Sequence, residues 1–129
     1  MKSVKKLIST LVMVMVTGSL LFLGAANSAD NFVFGFEDLP LMEGLNQVSQ
    51  DSVLFDTPQG RIVQASAVGT IAEAEVIVFY DSTLPQLGWT RTAAATYQRE
   101  GEVLRLEFST KDQLLLVAFL AEPSGNQLP

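Results

Sequence analysis

Apolar residues follow four different spacings along this chain. From Leu7 to Leu23 they run nearly unbroken, with Thr17, Gly18 and Ser19 as the interruption. From Asp30 to Gln50 they include Phe32, Val33, Phe34, Phe36, Leu39, Leu41, Met42 and Leu45, broken by Gly35, Pro40 and Gly44, and keep neither a two-residue nor a 3.6-residue period. So much hydrocarbon is costly in water, which predicts an ordered arm over residues 30–50 lying across a domain. Beyond Ser52 the pattern turns regular. Val53 to Phe55 reads as a short strand, Thr57-Pro58-Gln59-Gly60 as a tight turn, and Arg61 to Val68 as a second strand. The small row Val63, Ala65, Ala67 and Gly69 lets a helix approach closely.

Helical spacing takes over after Thr70-Ile71-Ala72-Glu73, which has the form of a capping box and predicts a helix starting at Ile71. Val76, Phe79, Tyr80, Leu84 and Leu87 form its buried stripe, and Gly88 supplies a left-handed stop. The rest reads as a meander. A strand from Trp89 to Arg99 meets the turn Glu100-Gly101. A strand from Glu102 to Phe108 follows, then a loop from Ser109 to Gln113 and a strand from Leu114 to Leu120. The expected fold is α+β: an antiparallel sheet of about five strands in the order ββαβββ, with one helix on one face, preceded by an N-terminal signal helix. Residues 51–123 form this domain and 124–129 a disordered tail.

Phe79-Tyr80, Leu84-Pro85-Gln86-Leu87-Gly88-Trp89 and the turn from Tyr97 to Gly101 resemble a group of small exported bacterial proteins and lipoproteins of unknown function. The likeness covers Thr70 to Phe108. It implies a helix running into a strand and an exported class, and it carries no catalytic residue.

The simplest hairpin register sets Tyr97 opposite Leu104, Ala95 opposite Leu106 and Ala93 opposite Phe108, on the side of the helix. The five-residue loop then adds Leu114, Leu116, Ala118 and Leu120 to that side. Val103, Arg105, Leu115, Val117 and Phe119 are left as the candidate partner surface on the other. Leu114 to Leu120 is apolar throughout, so both faces of that strand call for a cover. The candidate covers are the arm, a second copy of the chain, another envelope protein or a bound apolar ligand.

Lys2, Lys5 and Lys6 precede the Leu7–Leu23 run, and Gly24, Ala25, Ala26, Ser28 and Ala29 follow it, the three-part layout of a secretory signal over residues 1–29. A signal core spans about 7 to 15 residues and a membrane helix about 17 to 25, so length leaves an uncleaved inner-membrane anchor at 7–23 as the alternative. The polar interruption, and the lack of a basic cluster after the run, favour cleavage after Ala29 or Ala26 and a periplasmic or secreted product. Cleavage would leave five basic against fourteen acidic residues, a net charge of −9. Nucleic acid and anionic lipid are poor partners for such a chain, and the membrane enters only through an uncleaved signal.

With no histidine and no cysteine, the sequence offers no Ser-His or Cys-His nucleophile, no thiol redox pair and no typical zinc or haem site. Glu37-Asp38 and Glu73/Glu75 read as solvated acids. Arg91, Arg99 and Arg105 read as cross-strand partners of Glu102 or Glu107, and Trp89 and Tyr80 as core. No catalytic, cofactor-binding or metal-binding residue is assigned and no cofactor is expected. The leading expectation is an exported, acidic, non-enzymatic interaction module of the bacterial envelope. The alternative is a carrier or enzyme with a small-ligand pocket between arm and sheet, using Arg91, Arg105 and Tyr97.

Overall fold

The computed structural model describes residues 31–126. The expected signal or anchor at 1–29 and the end of the expected tail lie outside the described residues.

Among the described residues, seven antiparallel strands form one sheet: β1 (Asn46–Gln47), β2 (Val53–Thr57), β3 (Gly60–Gly69), β4 (Thr90–Ala93), β5 (Thr96–Arg99), β6 (Glu102–Lys111) and β7 (Leu114–Pro123). Their spatial order is β1-β3-β7-β6-β5-β4, and β2 pairs with the same edge of β3 as β1, further toward its start. One α-helix, α1 (Glu73–Thr83), joins β3 to β4 through a 3-10 turn at Leu84–Leu87. The α+β class, with one α-helix among the described residues, matches the sequence expectation. The sheet has seven strands rather than five.

The stretch expected as one strand, Trp89–Arg99, folds back on itself at Ala94-Ala95, where Ala95 adopts φ 49°. β4 therefore pairs with β5, and Ala93 lies opposite Thr96, not Phe108. β1 adds the other strand. The helix begins two residues later than expected, because Ala72 occupies the N-cap and its carbonyl takes the Glu75 and Val76 amides. Thr70 does not cap it; Ile71 instead turns inward and packs against the core. At the end, Pro85 has no amide to continue the α-helical ladder, and Gly88 at φ 91° stops the chain as expected. Ser124–Asn126, expected as loose tail, form a 3-10 turn whose Ser124 amide donates to the Gly101 carbonyl.

One face of the sheet is closed. β3 contributes Val63, Ala65 and Ala67, β7 Leu115, Val117, Phe119 and Ala121, β6 Leu104 and Leu106, and β5 Tyr97. Val76, Tyr80 and Leu84 of the helical segment pack on them, together with Val33, Phe36, Leu39 and Leu45 of the arm. The arm thus shares the helix's side. Two glycines permit its close approach: a Cβ on Gly35 would run into Val63, and one on Gly69 into the Gly44 carbonyl. Tyr80 ties arm to helix. Its hydroxyl donates to the Pro40 carbonyl at 2.8 Å and accepts the Met42 amide at 3.2 Å.

Candidate interaction surface

The β6–β7 hairpin decides which side chains face outward. It closes on a two-residue turn, Asp112-Gln113, with both residues at positive φ (52° and 67°), and pairs Lys111 with Leu114. The sequence reading places a five-residue loop there. An odd change of register moves every side chain of one strand to the other face. Leu106 now lies opposite Phe119 and Phe108 opposite Val117, all toward the helix.

The five candidate surface residues are divided by this shift. Arg105 stays exposed on the outward face and Val103 lies on the same face but is itself buried, at 6% exposed, whereas Leu115, Val117 and Phe119 are core residues on the other side, each at most 4% exposed. The outward row of β7 is instead Leu114, Leu116, Ala118, Leu120 and Glu122. Beside it lie Ile62, Gln64, Ser66 and Val68 of β3, then Val53 and Phe55 of β2. On the other flank stand Val103, Arg105, Glu107, Ser109 and Lys111 of β6.

This outward face is apolar at its centre and along β2. Val53, Phe55 and Leu114 are 42%, 49% and 43% exposed; Ile62, Val68, Leu116 and Leu120 are half-buried. None of its side chains belongs to the core cluster that the helix and the arm enclose. Its charges balance: Arg105 and Lys111 stand with Glu107 and Glu122, and Arg105 pairs with Glu107 along β6 at 3.3 Å. Across the described residues acids outnumber bases by thirteen to five. The face is therefore locally neutral on a strongly acidic molecule.

Two other arginines serve the closed side. Arg61 reaches Glu102 at 3.2 Å and the Gly35 carbonyl at 2.7 Å, and lies over the Phe36 ring. Arg99 reaches Asp38 at 2.7 Å and the Leu87 carbonyl at 2.9 Å, with its guanidinium 4.3 Å above Trp89. The Asp38 hydrogen bond raises the Arg99 pKa further. Both arginines pin the arm to the sheet, and their donors are engaged by carboxylates and carbonyls rather than held open for a ligand.

Of Arg91, Arg105 and Tyr97, the first and last meet at Asp81 and Arg105 stands apart. Tyr97 is buried and donates to Asp81, Arg91 approaches Asp81 from β4 at 3.6 Å, and Arg105 sits on the opposite face. Burial, then the Asp81 hydrogen bond, raise the Tyr97 pKa well above that of an ordinary tyrosine. Val33, Phe36, Leu39 and Leu45 fill the space between arm and sheet. Among the described residues no group of three or more acidic side chains is placed to hold a metal ion.

The structure adds residues that the sequence reading left out of the surface: Leu116, Ala118, Leu120, Ile62, Val68, Val53 and Phe55. The signal that could have found them is the possibility of a two-residue turn at Asp112-Gln113, which reverses the register. No family model matches the chain, and neither a curated protein nor a solved structure matches it.

Proposed function

We propose that this chain is an exported, non-enzymatic interaction module of the bacterial envelope, and that its open sheet face seats a second copy of the same chain. The observation that carries the reading is the neutral apolar band around Leu116, Ala118 and Leu120, outside the core cluster that the helix and the arm enclose. Two copies this acidic repel over most of their surface, so they approach best where positive and negative charges are equal in number. Arg105 and Glu107, neighbours on that face, can be exchanged between copies across a two-fold axis. The basic, apolar and small-residue layout of residues 2–29, and the likeness over Thr70–Phe108 to small exported proteins, support the assignment to the envelope.

The test is the assembly mass of the full chain expressed in its native host, for the unaltered protein and for Leu116→Lys with Leu120→Lys. We expect an assembly larger than one chain that tightens as salt screens the repulsion, and a smaller assembly in the variant with unchanged circular dichroism. An unaltered protein that sediments as a single chain, or a variant that keeps the full assembly mass, overturns the proposal.

A further inference from the structure

The two edges of the sheet are built differently. β4, at one edge, reads Thr90-Arg91-Thr92-Ala93 and is bulged between Arg91 and Ala93. Bulges are one way edge strands discourage pairing with other chains. β2, at the other edge, reads Val53-Leu54-Phe55-Asp56-Thr57 and pairs in unbroken register with β3 from Val53↔Gln64 to Thr57↔Gly60. Its three apolar side chains are each more than two-fifths exposed. Among the described residues, no strand pairs with its outer side.

The hairpin geometry says which backbone groups are free. Thr57 and Gly60 flank a two-residue turn and form the closely bonded pair, so Thr57, Phe55 and Val53 direct their amides and carbonyls to β3. Leu54 and Asp56 direct theirs outward. Ser52 also points outward, although its amide makes a long 3.4 Å bond to the Ser49 carbonyl.

We infer that β2 pairs antiparallel with β2 of a second copy, about a two-fold axis through Leu54, to give one sheet continuous across two chains. That register places Leu54, whose amide and carbonyl both point outward, opposite its own symmetry mate. Val53 falls opposite the mate's Phe55, an apolar pair of the kind that stabilises sheets. Asp56 falls opposite Ser52 and Asp51 opposite Thr57, so no carboxylate meets another across the seam. Val53 and Phe55 belong to the outward face, and the pairing joins the open faces of the two copies side by side. It stands on the free edge of β2, independently of the face-to-face contact proposed above. Its axis is perpendicular to the sheet, whereas face-to-face stacking uses an axis parallel to it, so the two contacts are distinct and, where the two axes intersect, together give a closed dimer of dimers.

Leu54→Pro tests the edge, because it removes only an outward amide and leaves the bonds between β2 and β3 unbroken. In the full chain from its native host we expect Leu54→Pro to halve the assembly mass. In the unaltered protein, hydrogen-exchange protection at the Leu54 and Asp56 amides should rise at least tenfold with concentration. An unchanged mass in Leu54→Pro together with exchange at Leu54 independent of concentration overturns the edge pairing, whatever the outcome for Leu116→Lys with Leu120→Lys. If that face variant alone keeps full mass while Leu54→Pro halves it, the face reading falls and the edge pairing stands.

Discussion

Strand β7 carries two hydrocarbon rows of nearly the same composition. Leu115, Val117, Phe119 and Ala121 lie beneath the helix and arm; Leu114, Leu116, Ala118 and Leu120 project from the other side. The first row is at most 4% exposed, while Leu114 alone in the second reaches 43%. What separates them is the turn that precedes them, since a register reached by an odd step would have reversed their places. Apolarity thus says that a residue will be covered by something, and register says by what.

Truncating one residue on each side separates the two rows by the largest effect. Phe119→Ala should lower unfolding free energy by about 3–5 kcal/mol, because it opens a cavity among Tyr80, whose ring meets Phe119 edge-on, and its other neighbours. Leu120→Ala, one position on, should cost about 1 kcal/mol or less at concentrations where the chain is a monomer. Urea titration of both variants checks the pair. Equal losses would mean the two rows are equally enclosed.

Alkali offers a second contrast, because the chain has two tyrosines and both belong to the closed side. Burial raises the pKa of Tyr80 and of Tyr97 above the ordinary value of 10. The folded state therefore holds these protons more tightly than the unfolded state does. Their contribution is complete below pH 10 and is lost as pH climbs past it, by up to about 1.4 kcal/mol per pH unit for each tyrosine. Thermal melts from pH 8 to 12 should show a midpoint flat to about pH 10 and falling beyond it. A midpoint that does not fall would contradict burial of the two hydroxyls.

A smaller effect separates arm from helix within the closed side. Tyr80→Phe removes the hydroxyl that serves Pro40 and Met42 and should cost about 1–2 kcal/mol. Hydrogen exchange at Met42 should accelerate more than exchange at the β6–β7 ladder. Uniform acceleration across both would mean that the arm and sheet open as one unit.

Much of the architecture was legible because it rests on local signals. Thr57-Pro58-Gln59-Gly60 and Glu100-Gly101 mark turns by residue type, and the second fixes Tyr97 opposite Leu104 in the structure as in the sequence reading. Val76, Tyr80 and Leu84 repeat at helical spacing and are buried. Two turns were not legible for the opposite reason. Ala94-Ala95 and Asp112-Gln113 contain no glycine, yet Ala95, Asp112 and Gln113 all adopt positive φ. Alanine and glutamine rarely enter that region, so tertiary pairing rather than residue preference holds them there. The candidate surface went wrong at Asp112-Gln113, since a loop of different length exchanges Leu115, Val117 and Phe119 for Leu116, Ala118 and Leu120. The side chosen by the arm was equally invisible, because its contacts are remote in sequence: Asp38 meets Arg99 at a separation of 61 residues.

The arm's closure through Tyr80, Asp38 and Gly35 sets where the autonomous unit begins. A fragment cut just ahead of the first long hairpin would keep every ladder of β2 through β7. It would nevertheless strip hydrocarbon from above Val63 and Ala65, orphan the Tyr80 hydroxyl and leave Arg99 without its carboxylate. The shortest piece able to stand by itself therefore starts near Val33, some twenty residues upstream of where strand content alone would draw the line.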